Sequence, residues 1–384
     1  MNKVKTQIPY FTLLILMVCC LGCGSKTEVT ETESVPTGGF QSFQIDLKGD
    51  KKPFVDLIQS IEITRLEETE ESLLGYVGQV EFHEDRMIIP DNKGTFYIYS
   101  KTGEFLNKFN HKGEGPEEYS GLTDIWLENG LIGIHNSGKS INRYDLEGNF
   151  ISRERLDERA AHVHPYKSGY ALDKNTRYTQ DSLMFSLVTL DDQMKLDKTF
   201  LPFDKSPVSQ VAFSPSTLST LGNDLLYLRM MSDTVYRVTA DSAVPFIHYD
   251  FQEDWYFQPG IEEVTGSVYE AASRKEQVWF MYSHIGQNYI YLYTTLGPRK
   301  NYAFFIDRET KQSVSIESKT STGERLDLSP IRWNGDQFLI SLRSSHLTDL
   351  LDQLDQEQSS FTEGTTLEEI ESSENPVLVS VKFK

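Results

Sequence analysis

The sequence predicts an all-β fold, a β-propeller with small helical insertions, preceded by a signal peptide and a flexible tether. Three observations carry this. A hairpin-like motif recurs about every 45 residues, the interval of a propeller blade. Several short β-forming runs fit within each interval, many of them apolar on both faces, as blades stacked between two neighbours require. The chain is rich in Phe (22) and Tyr (19), which favours strands over helices.

The first 22 residues read as a secretory leader. Lys3 and Lys5 form a short positive region, and Ile8 to Leu21 is apolar apart from Pro9 and Thr12. That run falls short of the ~20 residues needed to span a bilayer but suits a signal peptide. The stretch Cys20-Leu21-Gly22-Cys23 resembles a bacterial lipobox, with Cys20 where Leu is usual. The resemblance implies cleavage after Gly22, lipid on Cys23, and a membrane attachment through more than one acyl chain. Residues 23–50 read as the lipidated cysteine and a linker, since Gly24 to Gly39 is polar and lacks apolar periodicity. Glu28, Glu31 and Glu33 resemble the acid-rich export tags of Bacteroidota surface lipoproteins, which implies an outer-membrane, cell-surface address.

Residues 51–384 are expected to form the propeller. Tyr99-Ser-Lys-Thr-Gly103-Glu-Phe105 and Tyr144-Asp-Leu-Glu-Gly148-Asn-Phe150 each read as a strand end, a glycine turn and a return strand. Weaker copies start at Leu190, Tyr236 and Ile306. Two whole units can be parsed: Gln79–Phe82, Arg86–Pro90, Thr95–Ser100 and Phe105–Asn110, then Gly121–Leu127, Leu131–His135, Ile141–Asp145 and Phe150–Leu156. Helical spacing of Val264, Val268 and Ala271–Ala272 predicts an insertion over 260–277, and a second helical, acidic insertion is expected over 346–372. The last strand, Pro376–Phe383, is expected to share a blade with an early strand such as Ser60–Leu66. That pairing closes the ring and removes free sheet edges.

With these residues in view, the chain resembles the six-bladed β-propeller lipoproteins of Bacteroidota, which are similar to NHL-type propellers. The likeness rests on Lys112-Gly-Glu-Gly-Pro-Glu-Glu-Tyr119, on Thr123-Asp-Ile125, on the Tyr144–Phe150 hairpin, and on the ending Glu374-Asn-Pro-Val-Leu. It implies a six-bladed ring, often encoded beside outer-membrane nutrient importers. It implies no catalytic residues.

The composition excludes several chemistries. A net charge of −20 repels nucleic acid. All three cysteines lie within the first 23 residues, so a processed chain has no disulfide and no thiol nucleophile. Gly113, Gly115, Pro116 and Tyr119 read as a structural turn between blades, too acidic around Glu114, Glu117 and Glu118 to hold phosphate. His162 and His164 share one side of a strand, without the further ligands that zinc needs. Asp191, Asp192 and Asp197 lack the glycine of a calcium loop. Arg153, Arg155 and Arg159 read as charges along a strand edge, and no nucleophile elbow or zinc-protease motif occurs. Neither a metal nor a cofactor is expected. Most of Trp126, Trp255, Trp279 and Trp333 are expected in the core. The exception is Trp255-Tyr256-Phe257, set in a polar, loop-like stretch and expected to contact a ligand or partner. The function expected is a non-enzymatic binding or scaffolding module in glycan or peptide acquisition, partnered by a TonB-dependent uptake complex or another envelope protein. The alternative is a glycan-active hydrolase or lyase with its site in the central channel.

Overall fold

The computed structural model describes residues 38–175, 184–203, 216–229, 231–258, 274–297 and 300–384. The signal peptide, Cys23 and most of the tether lie outside them, as does the predicted insertion over 260–277 except for its last four residues. Thr37–Lys384 forms one compact unit.

Within it the strands form six sheets of four or five strands, the blades of a β-propeller. Blade 1 holds Glu81–His83, Arg86–Pro90, Phe96–Ser100 and Phe105–Phe109, and blade 2 holds Asp124–Glu128, Leu131–Asn136, Ser140–Tyr144 and Phe150–Arg155. Blade 3 runs His162–Tyr166, Gly169–Asp173, Phe185–Leu190 and Leu196–Pro202. Blade 4 runs Leu218–Leu221, Asp224–Leu228, Thr234–Val238 and Ala243–Asp250, and blade 5 Val278–Ile285, Tyr289–Leu296, Lys300–Asp307 and Ser313–Glu317. Blade 6 takes Leu328–Asn334, Gln337–Leu342 and Val377–Phe383 from late in the chain and its outer strand, Ile58–Arg65, from early in it. The last two pair antiparallel, Val379 opposite Ile63, which closes the ring as the sequence predicts.

The hydrophobic core is divided among the six seams between neighbouring blades. Alternate residues of one strand serve opposite seams: Met87 and Ile89 pack toward blade 6, whereas Ile88 between them packs toward blade 2. This is the origin of strands that read as apolar on both faces. The recurring motif is the hairpin between third and outer strands, with Gly103 and Gly148 both at φ +89°. A side chain at Gly103 would collide with the Arg65 carbonyl oxygen, 1.7 Å from an added Cβ.

Pairing begins earlier than residue 51. Gln41–Gln44 lies parallel against the outer strand of blade 4, inside the stretch expected to be linker, because Phe43, Ile45 and Leu47 alternate inward into that seam. Lys51–Pro53 does the same on blade 5. The insertion over 346–372 contains two short helices, Leu347–Leu351 and Leu367–Glu371, but also a strand, Ser359–Phe361, that adds to the edge of blade 6. Among the described residues no helix is long and apolar enough to cross a membrane.

Candidate functional site

In each blade, the crossing from an outer strand to the next innermost strand and the turn between second and third strands lie on one face of the ring. On that face, among the described residues, a cleft lies between blades 4 and 5. One wall comes from the innermost strand of blade 5, which presents Trp279, Phe280, Met281 and Tyr282. The other comes from the end of the second strand of blade 4 and the turn after it, with Leu228, Arg229, Met231 and Ser232. Ser216 and Thr217 lie at its edge, and Trp255 completes the lining.

Trp255 and Tyr256 are each 5 % exposed, so they are not a free ring platform. Trp255 stacks on Phe251 at 5.6 Å, Tyr256 meets Phe257 edge-on at 5.0 Å, and Phe257 is half-buried against the same cluster. The polar neighbours hold the backbone in place: Gln258 Nε2 donates to the Gln252 carbonyl (2.6 Å) and Gln277 Nε2 to that of Glu253 (2.7 Å). The stretch therefore fills a seam, and of its three rings the indole of Trp255 reaches the cleft. Trp279 is half-buried, its indole N–H donating to the Gly297 carbonyl at 2.9 Å.

Behind the cleft lies a buried polar belt. The Asp173 carboxylate accepts from Thr217 Oγ1 (2.8 Å), Tyr227 OH (3.0 Å) and the Asn175 N–H (2.7 Å). Burial pushes the Asp173 carboxyl above its ordinary value in spite of these donors. Further round the ring, Asp124 at the start of the innermost strand of blade 2 accepts from His135 Nδ1 (2.9 Å), His162 Nδ1 (2.8 Å) and the Val163 N–H (2.9 Å). Burial alone would raise Asp124, but the two imidazoles outweigh it and bring its carboxyl down to about 2. His162 thus ties blade 3 to blade 2.

Other ionisable groups sit on the innermost strands. Arg332 of blade 6 pairs with Glu81 of blade 1 at 2.7 Å. Burial holds His164 below its ordinary value, with Asp124 opposing and Arg332 adding to the effect. Burial, reinforced by Arg332, pushes His284 down to about 4. Among the described residues no three His, Cys, Asp or Glu side chains are grouped to hold a metal ion. Arg153 and Arg155 are exposed on the outer strand of blade 2, where Arg153 donates to the Pro116 carbonyl.

The glycine-rich loop folds onto itself. The Gly115 N–H donates to Glu118 Oε2 (2.8 Å), and a Cβ on Gly113 would lie 1.9 Å from that oxygen. Tyr119 is fully buried beneath the loop, donating to the Gly94 carbonyl (2.6 Å) and accepting from the His111 N–H (3.0 Å). Tyr144 OH and Asn142 Nδ2 donate to the carbonyls of Glu117 and Glu118, which staples the loop to blade 2.

The family model described as "Domain of unknown function (DUF4934)" matches residues 42–382, nearly the whole described ring. The chain belongs to the DUF4934 family. The match begins at the first parallel strand on blade 4 and ends in the closing strand of blade 6. No curated protein matches this DUF4934 chain. Among solved structures it is similar to a protein described as a "Putative exported protein" from Bacteroides fragilis NCTC 9343. That match has 16 % identity and a TM-score of 0.68, over 89 % of this chain and 99 % of that one. The β-propeller domain of Cps50 (Swd1) from Myceliophteria thermophila matches at 11 % identity and TM-score 0.42, over 74 % and 96 % of the two chains. BamB from Moraxella catarrhalis matches at 11 % and 0.36, over 69 % and 82 %. The first of these likenesses supports the propeller fold.

Proposed function

We propose that this DUF4934 protein is an exported lipoprotein, anchored through Cys23 in the outer membrane and facing the cell surface. In this reading it acts as a non-enzymatic binding module in nutrient acquisition. The observation that carries the binding role is the cleft between blades 4 and 5, where aromatic and aliphatic side chains share an opening with a guanidinium and hydroxyls. Concave sites with mostly apolar walls and a few placed polar groups are what small ligands and peptide ends occupy. The leader, the lipobox-like Cys20–Cys23 and the similarity to a Bacteroides protein described as exported support the address. A partner that takes the ligand onward, such as a TonB-dependent importer, fits a rigid ring presented beside the membrane.

Two experiments test this. Detergent phase partition of the full chain should place the native protein in the detergent phase and the Cys23→Ala variant in the aqueous phase; equal partition removes the anchor. A panel of oligosaccharides and short peptides, titrated against the wild type and Trp279→Ala, should give at least one ligand whose affinity falls tenfold or more in the variant. Binding that ignores Trp279 throughout the panel removes the cleft.

A further inference from the structure

We infer that the outer edge of blade 2 is a docking surface for an extended, acidic segment of a partner protein, which adds to the sheet as a parallel fifth strand beside Ile151, Arg153 and Arg155. This surface is on the outer strand of a different blade and stands independently of the cleft.

The molecule itself shows what such an edge accepts. The outer strands of blades 4, 5 and 6 each carry a further strand from this chain, Gln41–Gln44, Lys51–Pro53 and Ser359–Phe361, and all three run parallel to the strand they join. On blade 4 the register is explicit. The Tyr249 N–H points into the sheet, to the Asp233 carbonyl (2.9 Å), so the alternation of an antiparallel ladder turns the backbone groups of His248 and Asp250 outward. The Asp250 carbonyl duly accepts from the Ile45 N–H (2.9 Å). Blade 2 repeats that register. Its outer hairpin has the same one-residue bulge, at Ile151 where blade 4 has Phe246. The Leu156 N–H points inward to the Lys139 carbonyl (2.8 Å), which turns the N–H and C=O of Arg153 and Arg155 outward, at the positions of His248 and Asp250.

What differs is the cover. Phe246 is 1 % exposed and shares one apolar cluster with Phe43 and Ile45 of the added segment, whereas Ile151 is 50 % exposed. Among the described residues blade 2 holds four strands, and residues 38–175, which include all of blades 1 and 2, are described throughout. The exposed side chains of Arg153 and Arg155 set the chemistry of the occupant. Glu154 between them pairs with Arg143 at 3.0 Å, so its charge is already matched. Two exposed guanidiniums at alternate positions, on a chain with 57 acidic and 37 basic residues, deter a basic strand and attract one that carries carboxylates at alternate positions. Main-chain hydrogen bonds then supply affinity, while the Arg–carboxylate pairs and the contact with Ile151 supply selection.

The test is calorimetric titration of the full chain in detergent with an acetylated, amidated heptapeptide, Thr-Glu-Val-Glu-Val-Glu-Thr. Its counterpart with Lys in place of Glu runs alongside, as do two isomers N-methylated at the odd or at the even residues. The acidic peptide should bind, and the lysine peptide at least tenfold more weakly. One N-methylated isomer should lose at least tenfold and the other keep its affinity, because only alternate N–H groups face the edge. Arg153→Gln combined with Arg155→Gln should weaken the acidic peptide at least tenfold. Arg153→Pro, which removes an outward N–H and no ladder bond, should abolish binding. The peptide comparisons use the native protein, so they stand even if a variant misfolds. The inference is overturned by no binding at millimolar concentration, by equal binding of acidic and lysine peptides, by equal loss in both N-methylated isomers, or by binding that ignores the substitutions. A native dimer that becomes monomeric in Arg153→Pro, read by sedimentation equilibrium, makes a second copy the occupant and also overturns it.

Discussion

Asn375, in the Asn-Pro-Val-Leu ending, ties the loop that follows the outer strand of blade 6 to the start of the closing strand. Its side chain is 1 % exposed. Its Oδ1 accepts from the Leu74 N–H at 2.7 Å, and its Nδ2 is shared among the carbonyls of Ser72 (2.9 Å), Glu67 (3.2 Å) and Leu66 (3.3 Å). Substitution by alanine does not leave all four groups bare. Ser72 O still accepts from Tyr99 OH, and Glu67 O from Ser72 Oγ. The Leu74 N–H and the Leu66 carbonyl are left without those bonds in a buried site. An orphaned buried polar group costs about 1–3 kcal/mol, so Asn375→Ala should destabilise by about 3 kcal/mol. With an unfolding entropy of about 2.1 cal/mol/K per residue, a body of this size should melt about 4 °C lower. Thermal unfolding followed by circular dichroism, with guanidinium titration as a second measure, reads both quantities. A melting point within 1 °C of the wild type refutes the claim that this amide ties the crossing loop to the closing strand.

Three further perturbations follow from the geometry. Gly103→Ala combines positive φ with collision against the Arg65 carbonyl and should cost more than ~3 kcal/mol, whereas Gly222→Ala, at φ +58° with open space around it, should cost about 1 kcal/mol; paired denaturant midpoints decide. Asp124, with its carboxyl brought down to about 2, contributes stability that is complete above the unfolded value near 4 and is lost as pH falls toward 2. Urea midpoints at pH 5.5 and pH 3 should therefore differ less in Asp124→Asn than in the wild type, and an equal pH dependence counts against the imidazole bridge. His284, pushed down to about 4, binds its proton more readily unfolded, so the protein should lose up to about 3 kcal/mol as pH falls from about 6.5 to 4. His284→Phe should flatten that window in the same titration; an unchanged slope shows that His284 is not held neutral.

How much was legible in the sequence follows from how local each feature is. The hairpin motif is local, so its copies could be aligned. Its copies at Leu190 and Ile306 have Met194 and Lys311 at positive φ in place of glycine, which preserves a turn while erasing its signature. Blade 6 has no copy, because its third and outer strands come from opposite ends of the chain and no hairpin joins them. Gln41–Gln44 was obscured by its brevity and by the glycine-rich stretch before it, although the alternation of Phe43, Ile45 and Leu47 was the available signal. Rings among glutamines at 252–258 suggested exposure. The structure turns the Gln258 amide, and that of Gln277 from farther along the chain, onto backbone carbonyls of the stretch and the rings inward. Arg229 carried no signal in one dimension, since its surroundings come from two blades. The Asp124–His135–His162 bridge spans two blades and obeys no spacing that composition could show.

The joining of an early and a late segment in one sheet also sets a timetable. Ile58–Arg65 leaves the ribosome long before Val377–Phe383 exists, so it waits through most of synthesis with neither lateral neighbour. Such distant pairing is slow to form and leaves the nascent molecule unfinished until its final residues emerge. It also means that trimming a few residues past Asn375 unpairs strands at both ends at once, so any recombinant fragment has to retain residues 41–383 together.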